Sequence, residues 1–588
     1  MPDRILSTAL RRPPAVPDTL CTTGVVVGRM TQAGEQVFPA YSGMSLGCVV
    51  MLAVSAAMVL GMPPTATADV TAHSLIGDGM VLQRDRTASV WGVASPGEVV
   101  TVRFRGNESL ATTGTDGRWR VSIETQQAGG PFPLTIAGRN SMTFSAWVGD
   151  VWICSGQSNM WWPLATRPRS KELIGTGNPA IRLFTVPQQK SESPQLDVEG
   201  QWFECGPESL VGFSAVAYWF GREIQATQNV PVGLIHASFG GSGIEAWISG
   251  ETLATAPELA SVRERNADAA RRAAQNRLRL QPEIDRYEAA LARAKRDGTP
   301  PPQPPRGMIP AASSHGQLYN GMIAPLQSFG IRGVLWYQGE ANTARAGDYQ
   351  NLLTALIHGW RREWGQGEFP FLIVQLAPFQ KIVTNPQDSD WARLREAQLR
   401  TSVAVPQTGL AVITDWGHET DIHVKQKRPV GERLALAARS LVYGERLVHS
   451  GPRLRGMKID GSQAVLTFDH VGSGLEPRRL VLEDITKDGR SGLTGGALHV
   501  ARDADRSVQV PLQGFTIAGD DQKFVNVQAT IEGDTVIVQN PLVTKPVAVR
   551  YGWADFPTGN LFNAEGLPAS PFRTDDWPKR ETRQVRDQ

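Results

Sequence analysis

A chain of 588 residues exceeds what one ordinary hydrophobic core holds, so two or three domains are expected. With 41% hydrophobic and 20% charged residues it has the composition of a water-soluble globular protein, which excludes a disordered chain and a polytopic membrane protein. The formal charge of +2, with no long Lys/Arg run, offers little for neutralising phosphates, so nucleic acid is set aside as a partner and a neutral, water-soluble one is favoured.

Residues 1–68 read as a leader. Scattered arginines precede an apolar run from Leu46 to Met62, and Pro63-Pro64 and Ala66-Thr67-Ala68 follow it, the pattern of an export signal cut after Ala68. An anchoring helix would want about 20 apolar residues and no small-residue site, so no membrane attachment is expected after cleavage and the mature chain is expected to be periplasmic or secreted. Met30 and Met44 are alternative starts. Beyond the leader only Cys154 and Cys205 remain; an oxidising compartment allows them to pair, and two buried thiols fit the sequence equally well.

From residue 69 to 147 short apolar runs alternate with Gly, Asn and Pro turns, which predicts a small antiparallel β segment. Residues 148–450 change period to apolar strand, Gly-rich turn and helix, the pattern of a doubly wound parallel sheet whose chemistry sits at the carboxyl ends of its strands. Within it, residues 256–306 read as a charged, solvated helical insertion, a helix pair with a stiff Pro-rich exit. Residues 451–588 return to strands and turns, a second β segment expected to pack with the first as an accessory sandwich.

An acyl-transfer site needs a nucleophile on a sharp strand-to-helix turn, a base, a carboxylate to orient the base, and donors for the oxyanion. Ser158, in SGQSNM directly after the apolar strand ending at Cys154, occupies such a turn. A lone serine there is more often a helix cap, so the other segments decide its reading. SGQSNM, HASFGGSGIEAW, WYQGEAN and the late Asp421-Ile422-His423 together resemble, in order, the four blocks of SGNH hydrolases, in the form found in the sialate O-acetylesterase family and related carbohydrate acetylesterases. SSHGQLYNGMIAPL, YQNLLTALIHGWRREW and GNLFNAEGLPASPFR extend the resemblance over most of the mature chain.

The resemblance implies a flavodoxin-like three-layer α/β/α fold and a serine esterase that releases acetate from an acetylated carbohydrate, without a cofactor or metal. It places Ser158 as nucleophile, His423 as base, Asp421 as the orienting acid, and the backbone of Ser158 and Gly241 with the amide of Gln338 in the oxyanion hole. Gly240 competes with Gly241, and Asn342 with Gln338. The family's usual Asp-x-x-His is here Asp-x-His, with Thr420 at the acid's place, so Asp415 at the preceding strand end is the alternative to Asp421. Glu340 reads as a buried hydrogen-bonding residue and His418 as a polar loop residue. Asn159, Trp161 and Trp162, next to the nucleophile, are the expected substrate contacts, because aromatic faces stack on sugar rings.

Two other functions fit parts of the pattern. The cluster His418, Asp421, His423 suggests a metal-dependent hydrolase, but a helical zinc pair wants histidines at i and i+4, and these are five apart. A non-catalytic carbohydrate-binding protein would use Trp161, Trp162 and Trp247, yet leaves the ordered nucleophile, oxyanion and base segments without purpose. The motifs do not separate O-acetyl sialic acid from a plant cell-wall glycan such as xyloglucan as substrate; the tryptophans and low charge lean toward a neutral glycan.

Overall fold

The computed structural model describes residues 69–164, 177–303, 305, 315–484, 496–500 and 510–578. The expected export signal and its cleavage site lie outside these residues. These described residues form one compact mixed α/β unit.

Its central sheet is built from runs that are apolar on both faces. Val232–Ser238 and Gly333–Tyr337 are buried at every position, as strands covered on two sides must be. In chain order the strands are β1 (Ser141–Gly156), β2 (Asn178–Thr185), β3 (Trp202–Cys205), β4 (Val232–Ser238), β5 (Gly333–Tyr337), β6 (Phe371–Val374) and β7 (Thr408–Ala411). They lie in the order β3-β2-β4-β1-β5-β6-β7, parallel except for the antiparallel edge strand β3. The central β1 therefore delivers its carboxyl end, Gly156, to the middle of the sheet, beside the ends of β4 and β5.

Helices α2 (Ala215–Gln228), α4 (Ala346–Trp364), α5 (Asp390–Ala404) and α6 (Arg428–Leu441) flank the strands, α2 packing on α6 and α4 on α5. Each has a legible cause. Ser214 caps α2 by accepting from the Ala217 N–H, and α4 buries Tyr349, Leu352, Leu353, Leu356, Ile357, Trp360 and Trp364 on one helical stripe before Gly365 ends it at φ 62°. The insertion is a single helix, α3 (Ala260–Asp297), rather than a pair: its good helix formers carry it through Pro282, which costs one backbone bond without forcing a turn. Most of its described side chains are exposed. Its Pro-rich exit lies partly outside the described residues.

The strands before residue 141 continue into the central sheet, because β1 begins paired with Gly129–Ala137 and ends between β4 and β5. One hydrophobic core accordingly holds Val100, Val102 and Ile136 together with Ile153, Leu234 and Leu335. A second core, with Leu466, Phe515, Ile517, Val536, Val538 and Phe572, fills the seven-stranded C-terminal sheet. Cys154 and Cys205 are buried free thiols on strands β1 and β3, which β4 and β2 separate, and burial pushes the Cys205 pKa up to about 11. Among the described residues no helix is long and apolar enough to cross a membrane.

Candidate active site

The sharp turn at the end of β1 depends on Gly156. Its φ is +137°, and a Cβ there would sit 2.1 Å from the Tyr337 carbonyl oxygen of the neighbouring strand, so no side chain fits. Ser158 follows as the first residue of the short helix α1 (Ser158–Trp161), where its backbone N–H has no intrahelical acceptor. The turn after β4 lies beside it: a Cβ on Gly240 would stand 3.8 Å from the Ser158 Cβ, and Gly241 takes φ +68°, a conformation that favours glycine.

The loop after β7 brings the remaining groups. His423 Nε2 lies 3.0 Å from Ser158 Oγ, and its Nδ1 lies 3.1 Å from Asp421 Oδ1. The carboxylate accepts from Nδ1–H, which leaves Nε2 as acceptor for the serine hydroxyl. Asp421 Oδ1 also accepts from the His423 backbone N–H at 2.9 Å, and its Oδ2 pairs with the Lys425 ammonium. Burial alone would raise the Asp421 pKa; the bonds from His423 and Lys425 reverse that and hold it well below the usual carboxylate range. Asp415 is excluded from this chain of bonds. It is 1% exposed and accepts from both terminal nitrogens of Arg433, at 2.6 and 2.7 Å.

Three expected contacts are placed differently. Gln338 is fully buried; its amide nitrogen serves Ser242 O at 3.1 Å, Asn342 Oδ1 at 2.8 Å and Gln157 Oε1 at 3.3 Å, so no N–H is left for an oxyanion. Asn342, the competing amide, is 1% exposed; its nitrogen donates to Glu245 Oε2 at 3.0 Å and its oxygen accepts from the Ile244 N–H. Both amides brace the Gly241 turn from behind. Asn159, expected to touch substrate, is 1% exposed and donates to Glu340 Oε1 at 2.6 Å and Ile422 O at 3.1 Å while accepting from Lys427, which ties the Ser158 turn to the loop of His423. Trp247 is fully buried, its N–H donating to Ser242 Oγ, so it is no sugar platform.

Trp161 is 44% exposed next to the serine, whereas Trp162 stacks on the His423 ring, centroids 4.5 Å apart at 28°. Glu340 is buried as read from sequence; burial raises its pKa against the Asn159 hydrogen bond and the Lys427 charge.

His418 has a more definite role than a polar loop residue: its Nδ1 accepts from the N–H groups of Thr420 and Asp421, each at 3.0 Å, and shapes the turn that presents Asp421. That ring nitrogen is spent on its own loop, and among the described residues no group of His, Cys, Asp and Glu side chains is arranged to hold a metal ion. Strand β8 (Gly417–His418) pairs antiparallel with one of two C-terminal strands that pair with each other, β9 (Leu480–Asp484) and β10 (Gly496–Val500), its partner being β10. Glu419 clamps the junction, accepting from the Ile382 N–H at 3.0 Å and the Gly496 N–H at 2.8 Å. The C-terminal segment thus reaches the loop of His423 directly. Lys425 was not singled out from sequence, although in an extended Asp-x-His-x-Lys run the three residues share a face.

Comparison with known proteins points to carbohydrate esterases. Residues 308–440 match the family model described as carbohydrate esterase, sialic acid-specific acetylesterase, a span that includes Asp421 and His423 and leaves Ser158 outside it. The chain is 32% identical to the sialate O-acetylesterase of Rattus norvegicus over 421 residues, 64% of this chain and 75% of that one. The human sialate O-acetylesterase is 31% identical over 422 residues, 64% of this chain and 72% of the other. Among solved structures, a carbohydrate acetylesterase from Xanthomonas citri superposes with a TM-score of 0.68 at 36% identity, covering 87% of this chain and all of that one.

Proposed function

The chain belongs to the sialate O-acetylesterase-like family of carbohydrate esterases and is a carboxylic ester hydrolase, and from that premise we propose that it deacetylates a neutral glycan through an acetyl-enzyme on Ser158. The observation that carries the reading is the unbroken chain from Ser158 Oγ to His423 at 3.0 Å and from His423 to Asp421 at 3.1 Å. His423 Nε2 takes the serine proton as Oγ attacks the acetyl carbonyl. The N–H groups of Ser158 and Gly241 hold the oxyanion, and the sugar oxygen leaves with the proton from His423. Water, deprotonated by His423, then attacks the acetyl-serine; acetate leaves and the proton returns to Oγ.

A neutral glycan fits the surroundings better than a sialate. Exposed Trp161 offers a stacking face, while the two lysines at the site already face polar groups of the protein, Lys425 the Asp421 carboxylate and Lys427 the Asn159 amide oxygen. We read the parallel strand order as the doubly wound SGNH sheet, the terminal β segments as accessory to it, and the first 68 residues as an export leader that sends the enzyme to the periplasm or medium. The test is acetate release from acetylated xyloglucan oligosaccharides, acetylated xylan and O-acetyl sialic acid, compared by kcat/KM with wild-type and Ser158→Ala protein. Preference for either neutral glycan, lost in the variant, is the expected result; preference for the sialic acid overturns the substrate reading, and turnover by Ser158→Ala overturns the mechanism.

A further inference from the structure

Trp162 and Lys425 close a ring of contacts around the base. The Trp162 indole stacks on the His423 imidazole at 4.5 Å, His423 bonds Asp421, Asp421 pairs with the Lys425 ammonium, and that ammonium lies 5.2 Å from the centre of the same indole. The backbone of Trp162 is fixed to the nucleophile's side: its N–H donates to the Ser158 carbonyl at 2.9 Å, and its own carbonyl accepts from the Ala215 N–H at 3.0 Å, at the start of α2. One residue therefore links the backbone that carries the nucleophile to the ring that must meet it. Asn159, bonded to Ile422 O and Lys427, ties the loop of His423 to the serine turn, but neither bond touches the His423 ring.

We propose that Trp162 is a positioning residue for the base, holding the His423 ring in line with Ser158, with Lys425 securing the other end of the same assembly through Asp421. The proposal rests on the triad reading above. It also divides the two tryptophans by role. Trp161 is left to meet sugar, and Trp162 acts on the reaction of any acetyl ester, sugar or not. Stacking suits this task, since a ring face restrains imidazole tilt without competing for either nitrogen, and it favours the imidazolium that forms during attack. A displacement of about 1 Å at a catalytic group costs up to about 100-fold in rate, so loosening the ring is expected to be visible in kcat.

An aryl acetate, which has no sugar, separates the two roles. Trp162→Ala is expected to lower kcat about 10- to 100-fold on the aryl acetate and by the same factor on an acetylated xylo-oligosaccharide, with KM for each nearly unchanged. Trp162→Phe, which keeps a stacking face, is expected to restore most of the rate. Lys425→Met is expected to lower kcat on both esters and leave KM alone. A rise in glycan KM with undiminished aryl acetate kcat would make Trp162 a sugar platform and overturn the proposal. If Trp162→Ala does not fold, Phe and Lys425→Met decide: wild-type kcat in Lys425→Met together with a lost kcat in Trp162→Phe refutes a stacking role. Ser158→Ala, run alongside, isolates the premise: turnover there defeats the triad itself, whereas an inactive Ser158→Ala beside a fully active Trp162→Ala defeats this inference alone.

Discussion

Replacing Asp421 and Asp415 separately by Asn distinguishes an acid that orients the base from one that holds the fold. Asp421 Oδ1 accepts from both the backbone N–H and the ring N–H of His423, at 2.9 and 3.1 Å. An amide in its place has one acceptor oxygen; where its nitrogen faces the ring, Nδ1 becomes the acceptor and Nε2 carries the hydrogen toward Ser158. A base in that tautomer cannot take the serine proton, and the loss expected is on the order of 10⁴-fold in kcat. That is about 5.5 kcal/mol of transition-state stabilisation. Asp421 is partly shielded at the surface of a loop, so the fold is expected to survive the change. Asp415→Asn does the reverse: it leaves the Arg433 guanidinium facing a neutral amide at a site that is 1% exposed, a stability cost of about 3–5 kcal/mol, with kcat per folded molecule unchanged. The assay is aryl acetate turnover, with enzyme concentration corrected for the folded fraction by circular dichroism, beside urea midpoints for both variants. Turnover within tenfold of wild type in Asp421→Asn, or a dead but folded Asp415→Asn, would refute the assignment.

Three further outcomes follow from the same geometry. Glu419→Ala removes the acceptor for the Ile382 and Gly496 N–H groups, so amide exchange in residues 417–423 is expected to quicken and kcat to fall several-fold with KM unchanged; unaltered exchange would show that the clamp is idle. Burial pushes the His236 pKa from an ordinary 6.5 down to about 4, so the unfolded chain binds the proton first as the pH falls. Stability on that account is full above pH 6.5 and declines toward pH 4, by about 3 kcal/mol; urea unfolding of His236→Gln across this window is expected to flatten that dependence, and an unchanged slope would contradict it. Gly156→Ala places a Cβ against the Tyr337 carbonyl at φ +137° and is expected to cost at least about 3 kcal/mol in the same measurement; a wild-type midpoint would mean that the turn relaxes freely.

What the sequence made legible was local. The strand, glycine and serine at the β1 end lie within a few residues of one another, and Asp421 and His423 are two apart, so chain geometry alone sets their relation. The choice between Asp421 and Asp415 was not local, because it turned on Arg433, a residue of α6 whose guanidinium claims Asp415. Gln338 was misplaced for a similar reason: its amide finds Ser242 and Asn342, while its oxygen accepts from Tyr349, partners that only the folded sheet brings around it. The stacking partner of Trp162 was not legible either, because the His423 ring comes from far along the chain. The pairing of β10 with the base loop is likewise set by tertiary packing rather than by any pattern in Gly496–Val500.

The central claim is the covalent one, and it is tested most directly by quenching wild-type enzyme during turnover of an aryl acetate and mapping its peptides by mass. The account expects one acetyl group on the peptide that contains Ser158, absent from Ser158→Ala, whose turnover should be nearly abolished. Acetate release with no acetyl group on Ser158, or a Ser158→Ala enzyme that keeps a tenth of the wild-type rate, would contradict it.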